Sequence, residues 1–161
     1  MKFGLLYEMQ RPHSQYHVDY TTLIEETLEQ CILADEVGFD YLWFVEHHFL
    51  TTFSGSSAPE VIVSALARLT HRVRLGFGVV VLPHHHPIQV SERLAMIDHL
   101  SGGRVEFGVG RSSPYEQIGL GVDPRNTRDI MIESLQIVPK IIKGVDTQHG
   151  VCLLEIRIGD R

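Results

Sequence analysis

The chain has no run of Lys or Arg, and its formal charge is −6. It therefore offers no electrostatic footprint for nucleic acid or an anionic membrane. No apolar stretch approaches the roughly 20 residues needed to span a bilayer. The opening Met1-Lys2-Phe3-Gly4-Leu5-Leu6-Tyr7-Glu8 meets a carboxylate too early for the apolar region of a signal peptide. These absences predict a cytoplasmic protein without a nucleic-acid or membrane partner. Cysteine is nearly missing: Cys31 lies in a helical pattern, Cys152 lies near the end, and neither belongs to a Cys-x-x-Cys pair. No disulfide framework is implied. Low-complexity linkers and sequence repeats are lacking as well. What is present, 161 residues of which 43% are hydrophobic and 21% charged, is the composition of an ordinary globular domain. It reads as one domain over residues 1–161.

Four apolar, β-rich runs stand out: Phe3 to Tyr7, Tyr41 to Val45, Val73 to Leu82 and Val105 to Val109. Their near-continuous apolarity predicts parallel strands covered on both faces. Helical patterns separate them. The first begins at an Asp19 cap, with Tyr20, Leu23, Ile24, Leu28 and Cys31 on one face. The second starts at Ser57 with Pro59 in its first turn, and Pro87 opens a third that stops at Ser101-Gly102. The fourth follows Pro124, carries Ile130, Leu135, Val138 and Ile142, and contains Pro139, which predicts a kink. The order is β-α four times over, the rhythm of parallel βαβ units.

The connections differ by type. Joins from helix to strand are short and bland, whereas joins from strand to helix are long and carry His, Arg, Tyr and Glu. In (β/α) barrels the active site is built from the loops after the strands. An open dinucleotide-binding sheet would instead need its glycine fingerprint in the first strand-helix turn. That turn, Glu8 to Asp19, has no glycine, and Gly108-Val109-Gly110-Arg111-Ser112-Ser113 lacks the third one.

Three places could carry chemistry. Glu46-His47-His48-Phe49 follows the second strand, where a His can exchange a proton near neutral pH or donate to a reactive oxygen; the alternative is a loop imidazole that satisfies backbone groups. Pro83-His84-His85-His86-Pro87 follows the third strand. Together with His47 and His48 it could form a metallohydrolase site, though no carboxylate pattern completes the set and a polar loop between prolines competes. Arg111, beside Gly108 and Gly110, suits a phosphate, against the alternative of a surface salt bridge. Tyr115 could stack on a planar ring or pack in the loop.

At Glu46-His47-His48-Phe49 the sequence resembles the bacterial luciferase-like, flavin-dependent monooxygenases. The likeness includes Lys2-Phe3-Gly4, Gly38-Phe39-Asp40-Tyr41-Leu42-Trp43, Leu82-Pro83, His86-Pro87 and Ser101-Gly102-Gly103-Arg104-Val105-Glu106-Phe107-Gly108, in family order across residues 1 to about 144. The resemblance implies a parallel (β/α)8 TIM-barrel fold, of which this chain supplies about four units, a half barrel. It implies a role for His47 at the flavin's oxygen adduct and for Arg111 on the flavin phosphate. It also implies a non-prolyl cis peptide at Gly78-Val79 beneath the flavin ring, where the absence of a Cβ at Gly78 suits the position. Tyr115 matches a flavin-contacting tyrosine after a one-residue insertion. Where luciferase has a reactive cysteine this chain has Gly110, so light emission does not carry over. The tail 147–161 departs from the family pattern.

By the same resemblance the protein uses reduced FMN and O2 to oxygenate a small organic substrate, receives its flavin from a reductase and forms a homodimer. Related barrels use a deazaflavin for hydride transfer. A complete barrel takes about 250 residues, so the chain reads as a fragment or truncated product with bare edges on its first and fourth strands. The second reading is a flavin-binding or dimerising remnant that does not turn over.

Overall fold

The computed structural model describes residues 1–11, 19–50 and 52–143. The tail 147–161, with Cys152, and part of the first strand-helix join lie outside the described residues. The elements run β1 (Gly4–Tyr7), α1 (Tyr20–Val37), β2 (Tyr41–Phe44), α2 (Pro59–Leu69), β3 (Arg74–Val81), a 3-10 turn (Leu82–His84), α3 (Pro87–Ser101), β4 (Val105–Gly110), α4 (Pro114–Gly119) and α5 (Thr127–Ile142). All three strand pairings are parallel, in the order β1-β2-β3-β4. The α/β class and the parallel strand-helix rhythm thus match the expectation.

Local chemistry sets the boundaries. Asp19 accepts from the Thr22 N–H at 2.9 Å and caps α1. Gly38, in the left-handed region with φ 104°, ends it. The second helix starts at Pro59 rather than Ser57, because Ala58 is its N-cap and the proline ring presets the first helical φ. Pro139 lies within α5, as expected. The short helix α4 was not foreseen. It is built by a capping box in which the Ser113 hydroxyl accepts from the Glu116 N–H and the Glu116 carboxylate accepts from the Ser113 N–H.

The register sorts side chains by face. Leu5, Leu42, Leu75 and Val105 form one in-register row, and Tyr7, Phe44, Phe77 and Phe107 form the next. Both rows face the helices, where Val63, Leu66, Ala67, Val90, Leu94, Ile97 and Val138 complete the core. Tyr7 and Phe44 stack with ring centroids 5.1 Å apart. Cys31 is packed in the same core, and burial pushes its thiol up to about 11, which makes it an inert apolar group.

The opposite face differs from the expectation of strands covered on both sides. Leu6, Trp43, Gly76 and Glu106 form its central row, and Leu6 is 61% exposed. Among the described residues no element covers that face, which in a closed barrel is the interior. Trp43 occupies the space that Gly76 leaves, since a Cβ there would come within 2.3 Å of the indole.

At the N-terminal end of the strands two side chains fasten the sheet. Asp35 accepts from the backbone N–H groups of His71, Arg72 and Val73. Burial works against its charge, but these donors outweigh it and hold its carboxyl below the usual range. Arg104 donates to Ser101 O, Thr70 Oγ1, Val73 O, Ala67 O and Thr70 O at 2.7 to 2.9 Å. The Ser-Gly-Gly-Arg turn therefore ties α2, α3 and β3 together.

Candidate functional site

The C-terminal ends of the strands gather the residues singled out in the sequence. Glu46 directly follows β2 and is only 4% exposed. Its Oε2 accepts from the Val81 N–H at 2.7 Å, and its Oε1 accepts from His85 Nε2 at 2.6 Å and His48 Nε2 at 3.2 Å. Burial opposes its charge, yet the His85 contact and the other donors hold it below the usual range, so it is an anion. Both imidazoles must then present N–H at Nε2. Glu46 thus joins the loop after β2 to the loop after β3.

The neighbouring His47 has a different setting. Its Nδ1 lies 3.0 Å from Glu116 Oε1, and its Nε2 lies 3.7 Å from Glu8 Oε2. Its ring meets Phe53 edge-on at 5.7 Å. Three strand-end loops thus supply the groups around this imidazole. Glu116 is 1% exposed. It also accepts from the His48 N–H at 2.8 Å, the Ser112 hydroxyl at 2.5 Å and the Ser113 hydroxyl at 2.8 Å. Burial alone would raise its carboxyl, but the donors from Ser112, His48, His47 and Ser113 prevail and lower it to about 2.

The run His84-His85-His86 divides into three roles. His85 binds Glu46. His86 is the N-cap of α3, its Nδ1 accepting from the Ile88 N–H at 3.3 Å. His84 keeps both ring nitrogens buried without a hydrogen-bond partner among the described residues, and burial lowers its pKa, with Glu46 acting in the other direction. The metallohydrolase reading named His47, His48, His84 and His86. The structure instead brings His48 and His84 together with Glu46, their ligand atoms within 4.8 Å of one another, and leaves His47 and His86 outside that group. Glu46 supplies the carboxylate that the sequence pattern did not reveal, although it is already bonded to His48.

Gly78-Val79 is a cis peptide in β3, at the point where the β3–β4 register shifts between Phe77 and Val80. A Cβ at Gly78 would meet Trp43 at 3.4 Å and Leu6 at 3.8 Å, which is ordinary contact. Protein packing alone therefore does not demand glycine there. It does at Gly110, where a Cβ would come within 2.5 Å of Val79 Cγ2. Arg111 follows β4 and is exposed. Its carbonyl accepts from Gln117 Nε2 at 2.7 Å, while its guanidinium has no hydrogen bond or ion pair among the described residues. Among the described residues the surface salt bridge weighed against a phosphate role is not seen. Tyr115 is 64% exposed and meets Phe49 edge-on at 6.4 Å.

Backbone strain collects at the same end. The non-glycine residues with positive φ among those described are Met9 (51°), Phe49 (63°) and Ser112 (64°), and they follow β1, β2 and β4. Each costs of the order of 1–3 kcal/mol, and such residues cluster where a site over-determines them. Sequence reasoning did not assign Glu8, Glu46 or Glu116 a role. The one available signal was the Ser113-x-x-Glu116 capping pattern.

A half-open parallel sheet with helices on one face, and a titratable cluster at its strand ends, defines an α/β-barrel type of architecture with a site on its C-terminal rim. The chain matches the luciferase-like monooxygenase family over residues 1–155 and belongs to that family. The match enters the tail from 147 that the sequence reading set apart. It is 42% identical over 118 residues to 4-hydroxyprotoasukamycin monooxygenase of Streptomyces nodosus subsp. asukaensis, covering 73% of this chain and 32% of that protein. It is 34% identical over 153 residues to the oxygenase component of the flavin-dependent trigonelline monooxygenase of Acinetobacter baylyi, covering 93% of this chain and 41% of that protein. Among solved structures, monooxygenase RslO1 from Streptomyces bottropensis superposes with a TM-score of 0.87 at 30% identity, over 99% of this chain and 50% of that one. The chain thus spans between about a third and a half of the length of these three proteins.

Proposed function

We propose that this chain forms the first half of a flavin-dependent monooxygenase that uses reduced FMN and O2 to oxygenate a small organic substrate, one oxygen atom entering the substrate and the other leaving as water. The observation that carries the reading is His47, held at a strand end between Glu116 and Glu8 in a member of the luciferase-like monooxygenase family. The flavin-dependent trigonelline relative supports FMN as cofactor, and its description as an oxygenase component supports a separate reductase partner. Homodimerisation belongs to the same proposal. The residues present fit a flavin. The uncovered face offers Leu6 and Trp43 to a flat ring, and Arg111 offers a phosphate an exposed guanidinium that has no ion pair among the described residues.

Bound reduced flavin supplies the electrons for oxygen activation. His47 accepts or returns a proton at Nε2, since Nδ1 is engaged by Glu116. Glu46 clasps two loops together and keeps His48 and His85 in place. Arg111 would hold the phosphate, and Gly78, Val79 and Tyr115 would hold the ring.

The test is flavin binding and oxygen uptake by the whole protein. Arg111→Ala is expected to weaken FMN at least tenfold while leaving riboflavin, which lacks the phosphate, within about twofold. Equal weakening of both would remove Arg111 from the phosphate. Absence of flavin binding, or of substrate-dependent oxygen uptake with reduced FMN, would overturn the monooxygenase reading. Hydride transfer with a deazaflavin in its place would move the protein to that branch.

A further inference from the structure

The most heavily bonded side chain at the strand ends is Glu116, which lies 69 residues beyond the histidine it touches. Its Oε1 takes Nδ1 of His47 and the backbone N–H of His48, while its Oε2 takes the hydroxyls of Ser112 and Ser113. A surface capping residue needs only its own helix terminus. This one is 1% exposed and reaches across from the loop after β4 to the loop after β2. It fixes the ring of His47 and the backbone beside it at the same time.

We propose that Glu116 is the positioning residue for His47: it selects the tautomer with the proton on Nδ1 and thereby turns Nε2, with its lone pair, toward Glu8 and the open side of the site. The chemistry is a matter of donors and acceptors. With Ser112, Ser113 and the His48 N–H as its other donors, Glu116 is held well below the usual carboxylate range, is an anion near neutral pH and can only accept. Neutral imidazole carries one N–H, so a carboxylate at Nδ1 settles which nitrogen holds it. On the other side of the ring, Glu8 Oε2 is buried with no hydrogen-bond partner among the described residues and lies 3.7 Å from Nε2. An O–H or N–H brought between these two atoms finds two acceptors and a defined path for its proton. Glu116 itself touches no reacting atom. Its role in turnover rests on the proton-handling role assigned to His47, whereas its effect on the tautomer does not.

The test uses the whole protein labelled with 15N-histidine. In the wild type at a pH where His47 is neutral, the nitrogen shifts are expected to show a protonated Nδ1 and a bare Nε2. In Glu116→Gln, whose amide can donate as well as accept, that preference is expected to be lost, with kcat falling at least tenfold and the FMN Kd changing less than twofold. A wild-type His47 that carries its proton on Nε2 when neutral would overturn the proposal, whatever the stability of the variant. A folded Glu116→Gln with an unchanged tautomer would overturn it equally, leaving Glu116 as a helix cap. A changed tautomer with undiminished turnover would keep Glu116 as the positioning residue and defeat the catalytic reading of His47.

Discussion

The two ends of the sheet are both polar, and they are finished to different standards. At the N-terminal end Asp35 and Arg104 meet backbone groups that need what they offer, four carbonyl bonds from Arg104 alone. At the C-terminal end the network around Glu46 and Glu116 is as dense. Yet all the buried side-chain atoms left without partners among the described residues, Glu8 Oε2 and the two nitrogens of His84, lie there, along with the three strained non-glycine residues. A polar network that only holds a fold together has no reason to leave buried groups unmet, because each costs about 1–3 kcal/mol. One that awaits a ligand does. The contrast sets a fully paired network at one end against one with unmet groups among the described residues at the other, the end where we propose the chemistry.

Substitutions at opposite ends should therefore separate activity from stability. His47→Ala in the whole protein is expected to lower turnover by roughly 100-fold or more, the usual scale for a positioned acid or base, while the melting temperature moves by no more than a few degrees. Turnover within a few-fold of wild type would make His47 a structural loop residue. At the other end, Arg104→Met should cost about 3 kcal/mol in urea unfolding, because the carbonyls of Ala67, Thr70 and Val73 lose their donor, with little change in flavin affinity. A stability loss below about 1 kcal/mol would show that water replaces the guanidinium at no expense.

Glu116 should link the two properties through pH. Its pKa falls from 4.5 in the unfolded chain to about 2 in the folded one. The carboxylate therefore adds stability that is fully present above about pH 5 and is lost as the pH falls toward 2, a contribution of the order of 3 kcal/mol. The gap in unfolding free energy between wild type and Glu116→Gln is expected to narrow between pH 6 and pH 3. A gap independent of pH would mean that the ionised form is not what the fold favours. The smallest effect belongs to His86→Ala, which removes the N-cap of α3 and should cost about 0.5–1 kcal/mol without altering turnover. A large loss of activity would return His86 to the site.

The sequence showed the strand-helix rhythm because buried parallel strands are apolar runs and Asp19, Pro59, Pro87 and Gly102 mark their helices by simple backbone preferences. It also showed that the chemistry lies after the strands, since loop composition is a local property. Helix α4 escaped notice, being six residues long with a proline at its start and a glycine at its end. The partnership of Glu116 with His47 escaped for another reason: it is created by two loops meeting in space, and nothing near either residue announces the other. Arg104 was legible as part of a turn that stops a helix, but not as the donor to three other segments. The uncovered face was misjudged because an apolar run looks the same whether its second face is packed or open.

The niche at Gly76 has one more consequence. Trp43 is the only tryptophan in the chain, and it lies on the uncovered face beside Gly78, 3.4 Å from where a Cβ there would be. The chain therefore has a single indole fluorophore, on the surface where a planar ligand would settle. A flavin absorbs at the wavelengths where indole emits, so its arrival would be read as lost emission without any added label.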